Sequence, residues 1–382
     1  MSYRLRWYTD EGNLRSLGQE HLNQLLDRYA TELRDADITT PAFEDDETFY
    51  RELAKVFMRP EGIPAPLHDA LFHIKALDND RGEERLVMAV KEGFVKIDLA
   101  GEHSTADKAL LAWLQDEELV KRLHVQVDLD RSKSFITFLP QGDTTLRCDL
   151  RAVAAALELD LAPIFGQHGR GKWAEVGCHE RGDELMFVIR HAEPFRRDTE
   201  KRDTGAEPRY FWPVGQDLVI FSRSYGDLRT NATARWLKEA YAKSFGFRLF
   251  GRADLFKEAP KYTLEPLRTM GLFALLGAAY GIESIQLQEL ETLVDRTTDD
   301  RRIRRATDVL AAYDKEGGLP TGEPLMAAKF RVRFKGRTHD RIVTIRVPNR
   351  AKYTQDKEGQ MVTEWLKDTG FIVKDEGEDS ET

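Results

Sequence analysis

Cysteine is scarce in this sequence, which has only Cys148 and Cys178 among its 382 residues. Two cysteines do not make a disulfide scaffold for a chain of this length, and their separation of 30 positions fits no common zinc motif. Apolar runs long enough to cross a membrane are also missing, since the longest, residues 270–282, suits a buried helix. The charged N-terminal residues contain no signal-peptide core. We therefore expect a cytoplasmic protein with two buried thiols and no membrane contact.

The chain also lacks an excess of positive charge. Its formal net charge is −9 and its pI is about 5.6, so no global field attracts nucleic acid or an anionic membrane. Any binding to a polyanion has to be local. With 41% hydrophobic and 32% charged residues, the composition is that of a globular protein with a highly charged surface. At about 100–200 residues per domain, the length predicts two or three domains.

Common catalytic signatures are missing as well. The sequence has no dinucleotide-binding G-x-G-x-x-G, no G-x-S-x-G nucleophile elbow, no H-E-x-x-H and no EF-hand loop. We therefore expect no metal and no cofactor, and the sequence favours a non-enzymatic protein. A catalytic site assembled from distant carboxylates has no local signature, so that alternative stays open.

Periodicity divides the chain into regions of different secondary structure. Apolar residues recur mainly at helical spacing up to residue 123, and alternation typical of strands becomes common from residue 124 onward. The sequence thus predicts a multidomain α+β protein. Its expected parts are a mostly helical interaction domain at 1–123, a β-rich α+β domain at 124–258, a C-terminal α+β domain at 259–376 and an acidic tail at 377–382.

Three shorter segments carry their own predictions. The residues HVQVDL, 124–129, alternate and predict the first strand of a hairpin. Apolar and charged patterns predict helices at 262–281 and at 299–317.

The segment RHAE at 190–193 follows an apolar run and raises the question of a phosphate site. It resembles the first motif of the histidine phosphatases, in which a strand delivers a nucleophilic histidine beside an arginine that binds phosphate oxygens. The resemblance implies a phosphate-chemistry enzyme that uses Arg190 and His191. The second histidine of that family would have to be His339, in a predicted hairpin turn. We favour the alternative, a β-strand that ends in charged residues.

Glycines surround two further basic residues in GQHGRGK, 166–172. The spacing matches a P-loop, but Trp173 stands where the loop needs a hydroxyl for Mg²⁺, and a strand rather than a helix is predicted to follow. A surface loop is the favoured interpretation. Arg170 and Lys172 stay candidates for a phosphate or nucleic-acid contact.

Cys178, His179 and Glu180 are residue types that bind zinc, and His168 and His191 are the nearest additional histidines. A site needs three or four converging ligands, and these are spread over segments that resemble hairpins. We therefore expect a buried Cys178 beside a polar turn rather than a metal centre.

The strongest positive signal is a basic stretch near the C-terminus. Residues 328–352 contain nine Lys and Arg against Asp340 alone, a local charge of +8 in a chain of −9. Alternation predicts two strands here, at 328–336 and 340–348, with a helix at about 356–369. This strand–strand–helix order also occurs in winged-helix domains. The candidate contact residues are Arg331, Arg333, Lys335, Arg337, Arg341, Arg346, Arg350 and Lys352.

Like charges along one strand face repel each other unless something neutralises them. Nucleic-acid phosphate, an acidic protein partner, or the chain's own acidic residues at 44–47 and 377–382 would all serve. The sequence therefore predicts a binding or regulatory protein that acts in a complex with protein partners or nucleic acid. The alternatives are the phosphate-chemistry enzyme and a structural subunit whose basic face docks on its own acidic residues.

Overall fold

The helical spacing of apolar residues in the first third of the chain is realised as helices in the computed structural model of the protein. Two compact units make up the fold, Met1–Asp130 and Arg131–Thr382. None of the helices described is long and apolar enough to cross a membrane. The structure describes residues 5–38, 46–59, 62–99, 101–131, 133–146, 149–202 and 205–373.

Capping side chains set where several helices of Met1–Asp130 begin. Asn79, Ser104 and Asp116 each accept a hydrogen bond from a backbone N–H in the first turn of the following helix. The helices enclose one apolar core around side chains such as Trp113. Those described are α1 (Glu11–Leu14), α2 (Gln19–Arg28), α3 (Ala30–Asp35), α4 (Asp46–Phe57), α5 (Ala65–Ala76), α6 (Asp80–Lys91), α7 (Thr105–Gln115) and α8 (Glu117–Leu129).

The strand predicted at 124–129 is wrong, because these residues complete α8. Leu119, Leu123 and Val127 are buried at helical spacing, so the segment continues the apolar face that starts after Asp116. Six alternating residues fit either period when no turn separates them from a preceding helix.

Strands dominate Arg131–Thr382. In its described part, eleven strands form one sheet and β4 and β5 form a separate pair. The strands are β1 (Lys133–Pro140), β2 (Ala174–Arg181), β3 (Glu184–Ala192), β4 (Arg196–Arg202), β5 (Gly205–Phe211), β6 (Val214–Ser222), β7 (Leu228–Thr230), β8 (Phe256–Glu258), β9 (Ile282–Asp295), β10 (Asp300–Arg305), β11 (Leu325–Phe334), β12 (Arg341–Arg346) and β13 (Arg350–Tyr353).

The order across the large sheet is β10-β9-β11-β12-β13-β1-β7-β6-β3-β2, with β8 on β1. Strands from the ranges predicted as separate domains, 124–258 and 259–376, are therefore hydrogen-bonded into one sheet where β1 meets β13. The predicted α+β class is confirmed. The helices described in this unit are α9 (Leu150–Gln167), α10 (Arg235–Phe250), α11 (Pro266–Thr269), α12 (Val309–Asp314) and α13 (Lys357–Asp368).

Helices cover the two halves of the sheet on opposite faces. Ile136 of β1 lies in the core built with α9 and α10, whereas Ala351 of β13 lies in the core built with α13. Ile136 lies directly opposite Arg350 in the neighbouring strand, so the two side chains share a face. Successive residues of a strand alternate between faces, so Arg350 and Ala351 point to opposite sides of the sheet. The Arg350 side of β11, β12 and β13 is thus opposite to the side that α13 covers.

The helix predicted at 262–281 is wrong. Only the short α11 and two 3₁₀ turns, Gly271–Leu275 and Ala278–Tyr280, form there. Gly271 has a φ of 55°, a left-handed conformation that ends the helix after one turn and that glycine adopts without a steric penalty.

The helix predicted at 299–317 is wrong over its first half, which forms β10. Asp299 turns the chain with a φ of 53°, and β10 then pairs with β9. Arg305 thereby faces Glu289 directly across the two strands and forms an ion pair with it. The second half is helical in α12, which Asp308 caps.

The predicted strands of the basic stretch and its following helix are confirmed as β11, β12 and α13. Both strands lie inside the sheet, between β9 and β13. The hairpin is therefore an interior part of the sheet and not a protruding wing.

Candidate functional sites

Cations gather on the face of β11, β12 and β13 opposite to α13. Lys329 lies opposite Thr344, which lies opposite Lys352, and Arg346 lies opposite Arg350. Directly opposed residues in antiparallel strands share a face. The side chains on this basic sheet face are Lys329, Arg331, Arg333, Arg346, Arg350 and Lys352.

Two carboxylates partly neutralise the basic sheet face. Glu291 accepts from the Arg346 guanidinium at 3.1 and 3.3 Å, and Asp340 accepts from Arg333 at 2.7 Å and lies 3.7 Å from Arg331. The hydrogen bond from Arg333 lowers the pKa of Asp340 below its usual value. A third carboxylate, Glu289 of β9, lies directly opposite Lys329 and pairs with Arg305.

Three cations of this face form no ion pair with the described residues. They are Lys329, Arg350 and Lys352, of which the last two are exposed. Lys329 was not among the contact residues predicted from the sequence, although its strand position alone would have placed it beside Arg331.

The other predicted contact residues lie elsewhere. Arg337 and Arg341 both donate to the buried carboxylate of Glu358 on α13, each at 2.8 Å. Lys335 donates to the backbone carbonyl of Ala278 at 3.4 Å. Part of the basic charge is thus balanced within its own unit, while residues 44, 45 and 377–382 lie outside the described residues.

Arg190 and His191, the candidate catalytic residues, project from opposite faces of β3. Arg190 is exposed and bonds Glu175 at 3.2 Å, whereas His191 is only 1% exposed. This alternation is the ordinary consequence of strand geometry. The two side chains therefore do not face one phosphate together.

His191 belongs to a buried polar network instead. Its Nε2 lies 3.1 Å from Asp217, which also accepts from the Tyr241 hydroxyl at 2.8 Å, and its Nδ1 lies 3.1 Å from Arg170. Burial and the neighbouring Asp217 raise the pKa of Tyr241. The Nδ1 atom also lies 3.1 Å from the Ala192 carbonyl oxygen, so both ring nitrogens have polar partners. The Phe165 ring stacks on the imidazole at 4.6 Å.

The glycine-rich segment 166–172 follows α9, and β2 rather than a helix comes next. Arg170 is engaged in the His191 network and also bonds Glu193 at 3.4 Å. Lys172 is exposed and has no ion pair with the described residues.

The residues weighed as a zinc set do not converge. Glu180 pairs with Arg223 at 2.6 Å and His168 stacks on Trp236 at 3.9 Å. Cys178 is half-buried, and Cys148 lies outside the described residues.

One group of possible metal ligands was missed because its members are far apart in sequence. His21 and His103 each place Nδ1 near a different oxygen of the buried Asp107, at 2.8 and 2.7 Å. The Gly18 N–H also donates to this carboxylate, at 2.9 Å. Asp107 lies at the start of α7 and beside the start of α2, where helix dipoles favour an anion and disfavour a cation. Helix-end stabilisation accounts for the cluster.

A second missed cluster joins β7 to the segment before α11. Lys261 contacts Asp227, and Arg229 contacts Glu184, with all four groups largely buried. Asp227 Oδ1 and Arg229 Nε have no hydrogen-bond partner and lie 3.8 Å apart. Burial raises the pKa of neighbouring Tyr262 to about 12. Arg181 also pairs with Glu184, at 3.2 Å, so both carboxylates of the cluster are neutralised by cations within it.

Comparisons with known proteins add no assignment to these sites. No protein-family model matches the chain, and no curated protein matches it.

Proposed function

We propose that this chain is a non-enzymatic, cytoplasmic nucleic-acid-binding protein that holds phosphate backbones on its basic sheet face. The observation that carries the proposal is the set of cations that form no ion pair with the described residues, Arg350, Lys352 and Lys329, although Glu289 of β9 lies opposite Lys329 and pairs with Arg305 instead. Arg346 and Arg350 also face each other directly. Like charges in opposed positions destabilise a sheet, and a polyanion removes that repulsion.

Counterion release supplies the driving force. Each phosphate that a cation neutralises frees condensed counterions, so binding depends on local positive charge even in an acidic protein. The net charge of −9 confines the attraction to this region. Antiparallel sheets also serve as nucleic-acid platforms in several unrelated domains.

Charge reversal tests the proposal. Fluorescence anisotropy would measure binding of short mixed-sequence DNA and RNA at low salt to the wild type and to Lys329→Glu/Arg350→Glu/Lys352→Glu. The matched control, Lys243→Glu/Lys257→Glu/Lys315→Glu, changes three exposed lysines of the same unit by the same charge. We expect the first variant to bind about 100-fold more weakly and the control to bind within a few-fold of the wild type.

An acidic protein partner would also neutralise these cations, so polyglutamate of equal charge is tested in parallel. Equal losses in both triple variants would overturn the proposal. Binding of polyglutamate without binding of nucleic acid would replace it with an acidic protein partner.

A further inference from the structure

β4 and β5 form an arm that continues the β3–β6 hairpin beyond the large sheet. Their register runs from Arg196 opposite Phe211 to Arg202 opposite Gly205. The Glu193 N–H donates to the Pro213 carbonyl at 2.7 Å, which links the arm to the sheet. In the part of the chain that the structure describes, no further strand pairs with this arm, and most of its side chains are exposed.

One face of the arm holds the carboxylates. Glu200 lies directly opposite Glu207, and alternation places Arg202 and Arg209 beside them. Arg202 pairs with Glu200 and lies 3.5 Å from Glu207, while Arg209 lies 3.8 Å from Glu200. The Arg209 guanidinium also stacks over the ring of Phe211 at 4.8 Å. These charges satisfy one another.

The other face combines aromatic rings with cations. Arg197 lies opposite Tyr210, and Lys201 follows on the same face by alternation. Neither cation has an ion pair with the described residues, and no described carboxylate of β4 or β5 lies on this side. The Phe195 ring stacks on Tyr210 at 6.3 Å with 16° between the planes, and contacts Trp212 at 5.0 Å.

These rings are exposed. Phe195, Tyr210 and Trp212 are 53%, 57% and 45% accessible, so the chain itself leaves them largely in water. Exposed large aromatics grouped together mark a contact surface. We call Phe195, Arg197, Lys201, Tyr210 and Trp212 the aromatic face of the arm.

The glycine-rich segment 166–172 lies at the root of this face. A side chain added at Gly171 would meet the Trp212 ring at 3.6 Å, so the indole packs directly over that glycine. Arg170 forms a backbone bridge with Pro194 at the same place. Lys172, the next residue in the chain, is exposed, and its side chain runs past Gly166.

We infer that the aromatic face of the arm binds unpaired bases of single-stranded nucleic acid, an inference that rests on the proposed function. Bases stack on exposed aromatic rings, and nearby cations hold the connecting phosphates. A duplex hides the faces of its bases, so the rings select single strands. The sorting of charge supports this partner, because the described carboxylates of β4 and β5, which would repel phosphate, lie on the opposite face.

The arm and the β11–β12 turn lie at the same end of the strands of the large sheet. β3 and β11 run in the same direction, since an even number of antiparallel steps separates them in the sheet. The arm and the β11–β12 turn therefore leave the same edge of the sheet, six strand spacings or about 29 Å apart before twist.

Stacking is tested by removing rings without changing charge. Phe195→Leu/Tyr210→Leu is compared with Phe211→Leu, a control on the ion-paired face of the same arm. Binding is measured to a single strand, to its duplex and to an abasic single strand of equal phosphate number. We expect the double variant to weaken binding of the normal single strand by about tenfold or more, with little change for the duplex or the abasic strand.

The outcomes separate this inference from the proposed function. If the basic-face triple variant loses affinity but Phe195→Leu/Tyr210→Leu binds every probe like the wild type, the arm inference falls and the proposed function stands. Equal losses on the normal and abasic strands would show that stacking is not involved and would also overturn it. If no nucleic acid binds, both fail. Binding of the aromatic face to anionic vesicles alone would replace the inference with a lipid contact.

Discussion

Arg346 on β12 and Arg350 on β13 lie directly opposite each other, two like charges in facing positions. Glu291 engages Arg346 with two hydrogen bonds, whereas Arg350 has no carboxylate partner among the described residues. Facing like charges destabilise a strand pair by roughly 0.2–1 kcal/mol. Arg350 therefore costs folding stability, and a role in binding phosphate would explain why an arginine stands at this position.

Replacing Arg350 should therefore stabilise the protein while weakening its binding. We expect Arg350→Thr to raise the free energy of unfolding by roughly 0.2–1 kcal/mol at low salt, measured by urea denaturation. The gain should shrink at high salt because the repulsion is screened. Lys257→Thr, an exposed strand position outside the basic sheet face, is the control. Destabilisation by Arg350→Thr at low salt would contradict the account.

The buried Lys261–Asp227 pair predicts a large and non-additive effect. Lys261→Met removes the cation in direct contact with the buried Asp227. Glu184 keeps both Arg229 and Arg181, whereas the nearest remaining cation to Asp227 is Arg229, with Nε 3.8 Å from Oδ1. We expect a loss of about 3–5 kcal/mol in the free energy of unfolding, since an unpaired charge is left buried. Adding Asp227→Asn removes the buried carboxylate that Lys261→Met leaves without its lysine, so the double variant should be more stable than Lys261→Met alone. If the loss of unfolding free energy in the double variant equals the sum of the losses in the two single variants, Lys261 and Asp227 do not stabilise each other.

Two glycines of the β2–β3–β6 region should respond differently to alanine. A Cβ at Gly215 would lie 2.3 Å from Glu193 Oε1 and 2.9 Å from the buried His191 ring, whereas one at Gly177 meets its nearest atom at 3.6 Å. We expect Gly215→Ala to cost about 1–3 kcal/mol in thermal or urea unfolding. Gly177→Ala should be neutral or slightly stabilising. Equal changes in the free energy of unfolding for the two variants would mean that Glu193 and His191 move away from a new Cβ at little cost.

His73 should make stability depend on pH. Burial, followed by neighbouring His124, lowers the pKa of His73 from 6.5 to about 4. Between these pH values the unfolded chain binds a proton at His73 more readily than the folded protein does. The contribution of His73 to the free energy of unfolding is therefore fully present above pH 6.5 and is lost as the pH falls towards about 4. We expect His73→Phe to show a weaker fall of unfolding free energy between these pH values. If His73→Phe leaves the pH dependence of the unfolding free energy unchanged, His73 does not contribute to it.

Most helices and strands follow from local pattern, and the failures have physical causes. α8 was mistaken for a strand at 124–129 because six residues cannot separate the two periods, and tertiary burial of Val127 decides the outcome. The helix expected at 262–281 fails at Gly271, whose left-handed conformation no apolar pattern reveals. β10 looked helical because the carboxylates that stabilise its arginines come from β9 and beyond.

The candidate sites show the same limit. The strand phase of Arg331 and Arg333 was predictable because alternation is local. That Arg341 faces Glu358, or that His21 and His103 meet at Asp107, depends on contacts between distant segments. The aromatic face of the arm was accessible in principle, since Phe195, Tyr210 and Trp212 are close in sequence and flank basic residues.

The salt dependence of nucleic-acid binding tests the central claim most directly. The logarithm of the association constant for a short single strand is measured against the logarithm of salt concentration, for the wild type and for Lys329→Glu/Arg350→Glu/Lys352→Glu. If these three cations contact phosphates, the slope should become shallower by about 2, at roughly 0.7 per phosphate. An unchanged slope, or wild-type binding that does not respond to salt, would contradict the assignment of the basic sheet face as the phosphate-binding surface.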